Sequence, residues 1–264
     1  MITVAIAAEK GGVGKTTTAT HLAYLAAQQG RKVLLVDMDT QGQSGGFLNV
    51  NGKNLPGMYE ALAFHDEFKR GYTPMKDLVQ KEVRPNLDIL PTSPALGEAE
   101  LIIASVPNRE RILLDRLAEI KSGYDLCIMD VGPSTNLSSL LALYAADWLL
   151  IPTSPGLASR QGVEGVLSRV DVMTRRLDRA PKVAGILATM IREKEIATRE
   201  LLKYQRSFPE EQRAGKVHHA AEMERELGKG QTIFELNADS IPARDYQQVF
   251  KWFCDRVALS GVAK

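Results

Sequence analysis

Cysteine is almost absent: Cys127 and Cys254 are the only two in 264 residues. Two thiols cannot staple a small secreted scaffold with several bridges, and they cannot supply the four sulfur ligands of a zinc or iron–sulfur site within one chain. Both are read as structural residues, Cys127 in a buried strand and Cys254 on a C-terminal helix. No run of about 18 apolar residues occurs, so no membrane-spanning helix is expected. The stretch Met1–Lys10 lacks the basic segment followed by a long apolar one that marks a secretory leader, and a cytoplasmic protein is expected. His21, His65, His218 and His219 fall at no metal-binding spacing. There is also no excess of one charge. Lys and Arg number 33 against 32 Asp and Glu, a formal net charge of +1, so the totals do not indicate a polyanion-binding protein.

What remains is ordinary globular composition, 44% apolar and 25% charged, in a chain long enough for a sizeable core. Neither an internal repeat nor a low-complexity linker is visible, and residues 1–264 are treated as one domain. The balanced charge hides an asymmetry. Residues 1–159 carry 14 basic and 17 acidic side chains, and residues 160–264 carry 19 and 15, so an anionic surface would meet the second half.

Short β-branched runs alternate with helical patterns. Strands are expected at Thr3–Ala8, Lys32–Asp39, Leu87–Pro91, Asp125–Val131, Trp148–Pro152 and Val183–Thr189. Near-continuous apolar runs such as Val33-Leu34-Leu35-Val36 suit parallel strands covered on both faces. Helices are expected at Lys15–Gln29, closed by Gly30, and at Asn108–Lys121, closed by Gly123. A third is marked by the stripe Val163, Val166, Val170, Met173 and Leu177, and a fourth spans Pro242–Leu259. The alternation predicts an α/β fold: a doubly wound, mostly parallel sheet with helices on both faces. Leu48–Arg84 reads as short helices and loops at one edge, and Phe208–Gly230 as irregular and polar.

The strongest motif follows the first strand: Glu9-Lys10-Gly11-Gly12-Val13-Gly14-Lys15-Thr16-Thr17. A strand, a glycine-rich turn and a helix form the setting of a phosphate-binding loop. Glycines admit positive φ and let backbone N–H groups approach phosphate oxygens, and the helix N-terminus favours an anion. Lys10, Gly11, Gly12, Val13, Gly14, Lys15, Thr16 and Thr17 are the candidate nucleotide-binding residues. Lys15 would reach the β- and γ-phosphates, and the Thr16 hydroxyl would hold Mg²⁺. The loop departs from the common GxxxxGK[ST] form, with Glu9 at the first glycine position and an additional lysine, Lys10, after it. A second cation there has a use in offsetting charge on the transferring phosphoryl group.

With that lysine, KGGVGKTT resembles the deviant phosphate loop of the ParA/MinD ATPases, and most of all the DNA-partitioning ParA type. Further segments carry the likeness: Val33–Gly42, where Thr40 stands in place of a usual proline; Leu87–Pro91 with Ala99-Glu100-Leu101; Tyr124–Asp130; Ala145–Pro152; Gly185–Met190; and Ile233–Leu236. It covers nearly the whole chain and thins at 48–84 and 190–230. The resemblance implies an ATPase that uses ATP and Mg²⁺, with Lys10, Lys15 and Asp39 as catalytic residues. Lys15 and the metal would hold the phosphates, Asp39 would position the attacking water, and Lys10 would act across the interface of a homodimer formed on ATP binding.

Asp130 ends an apolar strand beside the loop strand, where a carboxylate can hold Mg²⁺, mainly through water. Asp37 and Asp39 are two apart and would share a sheet face if the strand reached them. Thr16 and Asp130 are candidate metal residues, and with Asp39 given to the water by the resemblance, Asp37 is a candidate for the magnesium shell or for hydrogen bonds in the switch region. The resemblance also implies binding to non-specific DNA on the nucleoid and stimulation by a ParB-like centromere-binding protein. Candidate DNA contacts are Arg169, Arg175, Arg176, Arg179, Arg192, Arg199, Lys203, Arg206, Arg213 and Lys216. Acidic residues interleave heavily, with eight Asp/Glu among nine Lys/Arg over 192–229. The alternative is a positioning protein that recruits another cargo to nucleoid or membrane. The apolar stripe Val249, Phe250, Phe253 and Val257 is read as a helix docked on its own sheet rather than as a membrane anchor, and no membrane partner is expected.

Overall fold

A computed structural model describes residues 1–52, 55–66, 71–133, 136–221, 223 and 229–259. Eight strands form one sheet: β1 Ile2–Ile6, β2 Val33–Met38, β3 Gln80–Arg84, β4 Leu87–Leu90, β5 Leu126–Val131, β6 Trp148–Thr153, β7 Lys182–Ile191 and β8 Arg213–His218. Their spatial order is β3-β4-β2-β5-β1-β6-β7-β8. Every neighbouring pair is parallel except β3 with β4. The chain leaves β1 toward β2 on one side and reaches β6 on the other, so the strand order reverses beside β1. Ligands of open α/β sheets bind at such a switch point, outside the C-terminal strand ends.

The apolar runs are continuous because both faces are covered. Leu34 and Val36 pack into one core with Ala5, Met129 and Ile151. Val33 and Leu35 point the other way, into a second core with Val4, Ile6 and Ile128. The first core is roofed by α3 Met58–Ala63, α5 Leu96–Ile103, α6 Ile112–Ala118, α7 Leu137–Ala145 and α8 Leu157–Arg176. The second is roofed by α1 Lys15–Gln28 and by α11 Ile241–Arg256. The shorter helices α2 Gln43–Phe47, α4 Met75–Leu78, α9 Ile196–Gln205 and α10 Ile233–Asn237 complete the described set.

Gly30 ends α1 at φ 79°, with its N–H on the Ala27 carbonyl and that of Arg31 on the Ala26 carbonyl, a left-handed helix stop that suits glycine. The stripe Val163, Val166, Val170 and Met173 is buried on α8 as expected, and Leu177 caps the helix. Val249, Phe250, Phe253 and Val257 are likewise buried on the sheet. Phe253 has no exposed surface. Phe253→Ala is expected to lower unfolding free energy by about 3–5 kcal/mol, read from the urea midpoint at unchanged slope.

Three expectations need correction. The helix over Asn108–Lys121 is interrupted: Asn108 adopts φ 54°, Arg109–Arg111 is a 3₁₀ turn, and only Ile112–Ala118 is α-helical. The 48–84 segment does form short helices, but it also contributes β3. The 208–230 segment is not wholly irregular, because it contains β8. Parts of both segments, and the tail Ser260–Lys264, lie outside the described residues.

Candidate active site

The chain leaves the C-terminal end of β1 and turns through Gly11–Gly14 into α1. Gly12 and Gly14 adopt φ of 70° and 81°, a backbone that side chains disfavour. Gly14 is also the N-cap of α1 and supplies no side-chain cap, so the first N–H groups of the helix face the loop's concavity. Thr189 of β7 props this turn from behind. Its hydroxyl lies 2.9 Å from the Val13 carbonyl and 3.1 Å from that of Thr153. The signal for Thr189 was its place at a strand end, and sequence reasoning assigned it no role.

Lys15 is almost wholly buried, and its Nζ donates to the Lys10 carbonyl at 3.2 Å. Burial lowers its pKa, and the nearby charges of Asp130 and Asp39 work against that shift. Those carboxylates come from two adjacent strand ends. Asp37 of β2 and Asp130 of β5 are direct neighbours in register, and neither has any exposed surface. Burial and the charge of Asp130 push the Asp37 carboxyl well above the usual range, although the Asp39 and Gly45 backbone N–H groups favour its charged form. Burial raises Asp130 to about 6, opposed by hydrogen bonding from the Ser44 and Thr16 hydroxyls. Ser44, 2.7 Å from Asp130, was missed by sequence reasoning.

Asp39 lies one residue beyond the end of β2, so it does not share a strand face with Asp37 as expected. Its N–H donates to Asp37 Oδ1 at 3.1 Å, and its own Oδ1 accepts the Gln41 N–H at 3.0 Å. Gly132 leaves it room: a Cβ there would stand 3.4 Å from Asp39 Cγ. Lys10 has a partner within the chain that the sequence did not announce. In the single chain its Nζ donates to Ser159 Oγ at 3.0 Å at the start of α8.

A cleft of about 390 Å³ runs over Gly11, Gly12, Gly14–Thr17, Asp39, Pro133 and Met190. A second, of about 300 Å³, continues past Gly14 and Thr17 to Val217, His219 and Tyr246. Shared walls at Gly14, Thr17, Met190 and Met223 join them. A larger hollow of about 700 Å³ borders Thr40 and Gln41 but includes no residue of the phosphate loop. The residues present fit a magnesium ion. Asp37 Oδ2 and Asp130 Oδ1 are buried without a hydrogen-bond partner among the described residues, and the Thr16 hydroxyl acts on the same carboxylate. A divalent cation would satisfy oxygens that are otherwise costly to bury.

The DNA candidates scatter. Arg169 pairs with Glu9, Arg175 with Asp171, Arg179 with Asp147, Arg192 with Glu195 and Lys216 with Glu193. Arg213 is tied to the Phe208 and Arg206 carbonyls. Arg176 is exposed on the last turn of α8. Arg199 and Lys203 on α9 and Arg206 at its C-cap are exposed along one side, where no carboxylate partner is seen among the described residues.

Residues 1–183 match the family model of an AAA domain. The chromosome partitioning protein ParA of Myxococcus xanthus is 38% identical over 188 residues, 71% of this chain and 64% of that protein, just under two thirds of its length. The sporulation initiation inhibitor protein Soj of Bacillus subtilis is 31% identical over 188 residues, 71% of this chain and 72% of its own. The chain belongs to the ParA/Soj family. The fold of this ParA-family chain matches that of McdA from Cyanothece in complex with ATP. Their TM-score is 0.85 at 21% identity, over 100% of this chain and 99% of the other. It also matches cobyrinic acid a,c-diamide synthase of Mycobacterium smegmatis with a bound ATP analogue and magnesium. There the TM-score is 0.75 at 23% identity, over 95% and 93%.

Proposed function

We propose that this chain is an ATP-hydrolysing DNA-partitioning protein that uses Mg²⁺, dimerises when ATP binds and then holds non-specific DNA of the nucleoid. In this reading a ParB-like centromere-binding partner stimulates hydrolysis and so releases the DNA. One observation carries it: a phosphate loop with two lysines, Lys10 and Lys15, stands beside the buried pair Asp37 and Asp130 and the half-buried Asp39.

The roles follow from position. Lys15 exchanges the Lys10 carbonyl for phosphate oxygens, a gain for a buried cation whose one hydrogen-bond acceptor among the described residues is neutral. Backbone N–H groups of Gly11–Thr17 hold further oxygens. Thr16, Asp37 and Asp130 would hold Mg²⁺, which supplies positive charge beside the phosphates. Asp39, at the rim of the same cleft, orients and accepts a proton from water. Lys10 leaves Ser159 to reach a phosphate across the dimer. The 300 Å³ cleft between Met190, His219 and Tyr246 takes the base. The Thr17 carbonyl accepts from His21 Nδ1 at 2.6 Å, and His21 Nε2 accepts the Ile233 N–H at 3.1 Å, so α1 is tied to the segment leading into α10.

Arg199, Lys203 and Arg206 are the proposed core of the DNA face. Changing all three to alanine should weaken binding to any duplex and flatten the salt dependence of log K by about 2–3 units, roughly 0.9 per lost phosphate contact. Melting of the protein should be unchanged. The test is a mobility shift of unrelated duplex DNA at two salt concentrations, without nucleotide, with ADP and with ATP. An ATP-dependent, salt-sensitive shift that Lys10→Ala abolishes supports partition. An ATP-dependent dimer that never shifts DNA removes the DNA assignment and leaves the recruitment of another cargo.

A further inference from the structure

Helix α8 presents Ser159, Gly162, Gly165 and Arg169 to the two residues that open the phosphate loop. A Cβ at Gly165 would fall 2.1 Å from Glu9 Oε2 and 2.6 Å from its Cδ, so the carboxylate lies directly against the helix backbone. At Gly162 a Cβ would stand 3.5 Å from the Lys10 backbone nitrogen, an ordinary contact distance. Arg169 closes the far end, with Nη2 donating to Glu9 Oε1 and Nη1 to Ser139 Oγ, both at 3.0 Å. At the near end Ser159 Oγ accepts from Lys10 Nζ, 3.0 Å away, and lies 3.0 Å from Ser154 Oγ.

Two features set this apart from an incidental surface pair. Glycine in a helix interior is unfavourable, yet α8 has one at residue 165, where a Cβ could not coexist with the Glu9 carboxylate as it lies. The ion pair is also withdrawn from solvent, with side-chain exposures of 19% for Arg169 and 29% for Glu9, and Arg169 is held by a second, neutral acceptor. Glu9 itself occupies a position where the common loop has glycine, so a charged side chain has entered a place of close backbone approach and the helix has been cut back to admit it.

We propose that Glu9 and Arg169 form a positioning pair for Lys10. They pin the loop entrance to α8, so that the lysine side chain swings about a fixed backbone pivot between Ser159 and a nucleotide phosphate. This rests on the reading of Lys10 as a phosphate ligand. Without the pin the pivot drifts, and an ammonium on a flexible stem loses its aim.

Gly165→Ala is the cleanest probe, because it displaces the Glu9 carboxylate without removing a charge and should leave the helix as stable or more so. In the nucleotide-free protein, Lys10 acylation by an amine-reactive reagent, read by mass spectrometry against exposed Lys32, should rise severalfold in Gly165→Ala and in Glu9→Ala. ATP turnover should fall about tenfold in kcat, with KM nearly unchanged. Adding Gly165→Ala to Glu9→Ala should change nothing further, since both act through one contact. Arg169→Lys should recover part of what Arg169→Ala loses. The proposal is overturned if Lys10 acylation is the same in wild type, Gly165→Ala and Glu9→Ala, or if the two substitutions multiply. If acylation responds but Lys10→Ala hydrolyses ATP as fast as wild type, the pin stands. The reading of Lys10 as a phosphate ligand then fails, and the positioning role fails with it.

Discussion

Lys15→Ala is expected to reduce ATP turnover by roughly a hundred- to a thousandfold, the usual cost of deleting one preorganised electrostatic contact to the transition state. Lys15 is a buried cation at the base of the cleft, and among the described residues its one hydrogen-bond acceptor is the Lys10 carbonyl. Its pKa is lowered by burial, so its charge is maintained at a cost that the Asp130 and Asp39 charges only partly relieve. Incoming phosphate oxygens offer that charge much better partners, and the contact strengthens as negative charge builds toward bond cleavage. Lys15→Arg is not expected to rescue, because a planar fork cannot take the place of a point charge threaded through a glycine turn. Lys15→Met, which keeps the stem, should fold with a melting midpoint close to that of wild type. Phosphate release and nucleotide affinity measured on the three variants check this. Turnover within a factor of a few of wild type in Lys15→Ala would remove Lys15 from the mechanism.

The fold was legible where local chemistry decides it. Six strands were read from apolar runs, and each lies within two residues of the expected bounds, because strands buried on both faces need no alternation to announce them. The two strands that escaped notice are the sheet's edges. β3 is Gln80-Lys81-Glu82-Val83-Arg84 with Glu82 at φ 52°, and β8 holds Gly215 at φ 89°. Edges carry polar side chains and irregular backbone, and these erase the strand signature.

The same division runs through the site. The glycine loop and its lysines are encoded in nine consecutive residues, so spacing alone was informative. The pairing of Asp37 with Asp130 was legible only as two strand-end carboxylates. Ser44 on Asp130, Ser159 on Lys10 and Arg169 on Glu9 join residues 86, 149 and 160 positions apart. No periodicity connects such partners. Whether an arginine faces DNA or a carboxylate is equally a tertiary matter. Arg169 and Arg199 look alike in the sequence, and only the folded chain gives Glu9 to one of them.

Asp39→Ala is expected to slow hydrolysis by about 10²–10⁴-fold, the range for losing a general base, while ATP binding is retained. The two effects separate because of where Asp39 sits. It lies beyond the end of β2 at the cleft rim, and among the described residues none of its hydrogen bonds reaches the phosphate loop: they go to Asp37 and to the Gln41 and Gly42 N–H groups, and only its charge acts on Lys15. Truncation removes the carboxylate but keeps the backbone N–H that steadies Asp37, so the proposed magnesium residues stay in place. In the proposed cycle the ATP-bound dimer would then persist, and so would its DNA complex. Asp39→Asn tests the charge alone: an amide can still hold a water but is a poor proton acceptor, so it should match Asp39→Ala in rate. Gly132→Ala, which brings a methyl to 3.4 Å from Asp39 Cγ, should give a smaller loss through displacement. Single-turnover hydrolysis paired with sedimentation of the ATP-bound protein resolves these cases. A wild-type rate in Asp39→Ala, or dissociation of the ATP state as fast as in wild type, would transfer the water-positioning role to another residue of the cleft.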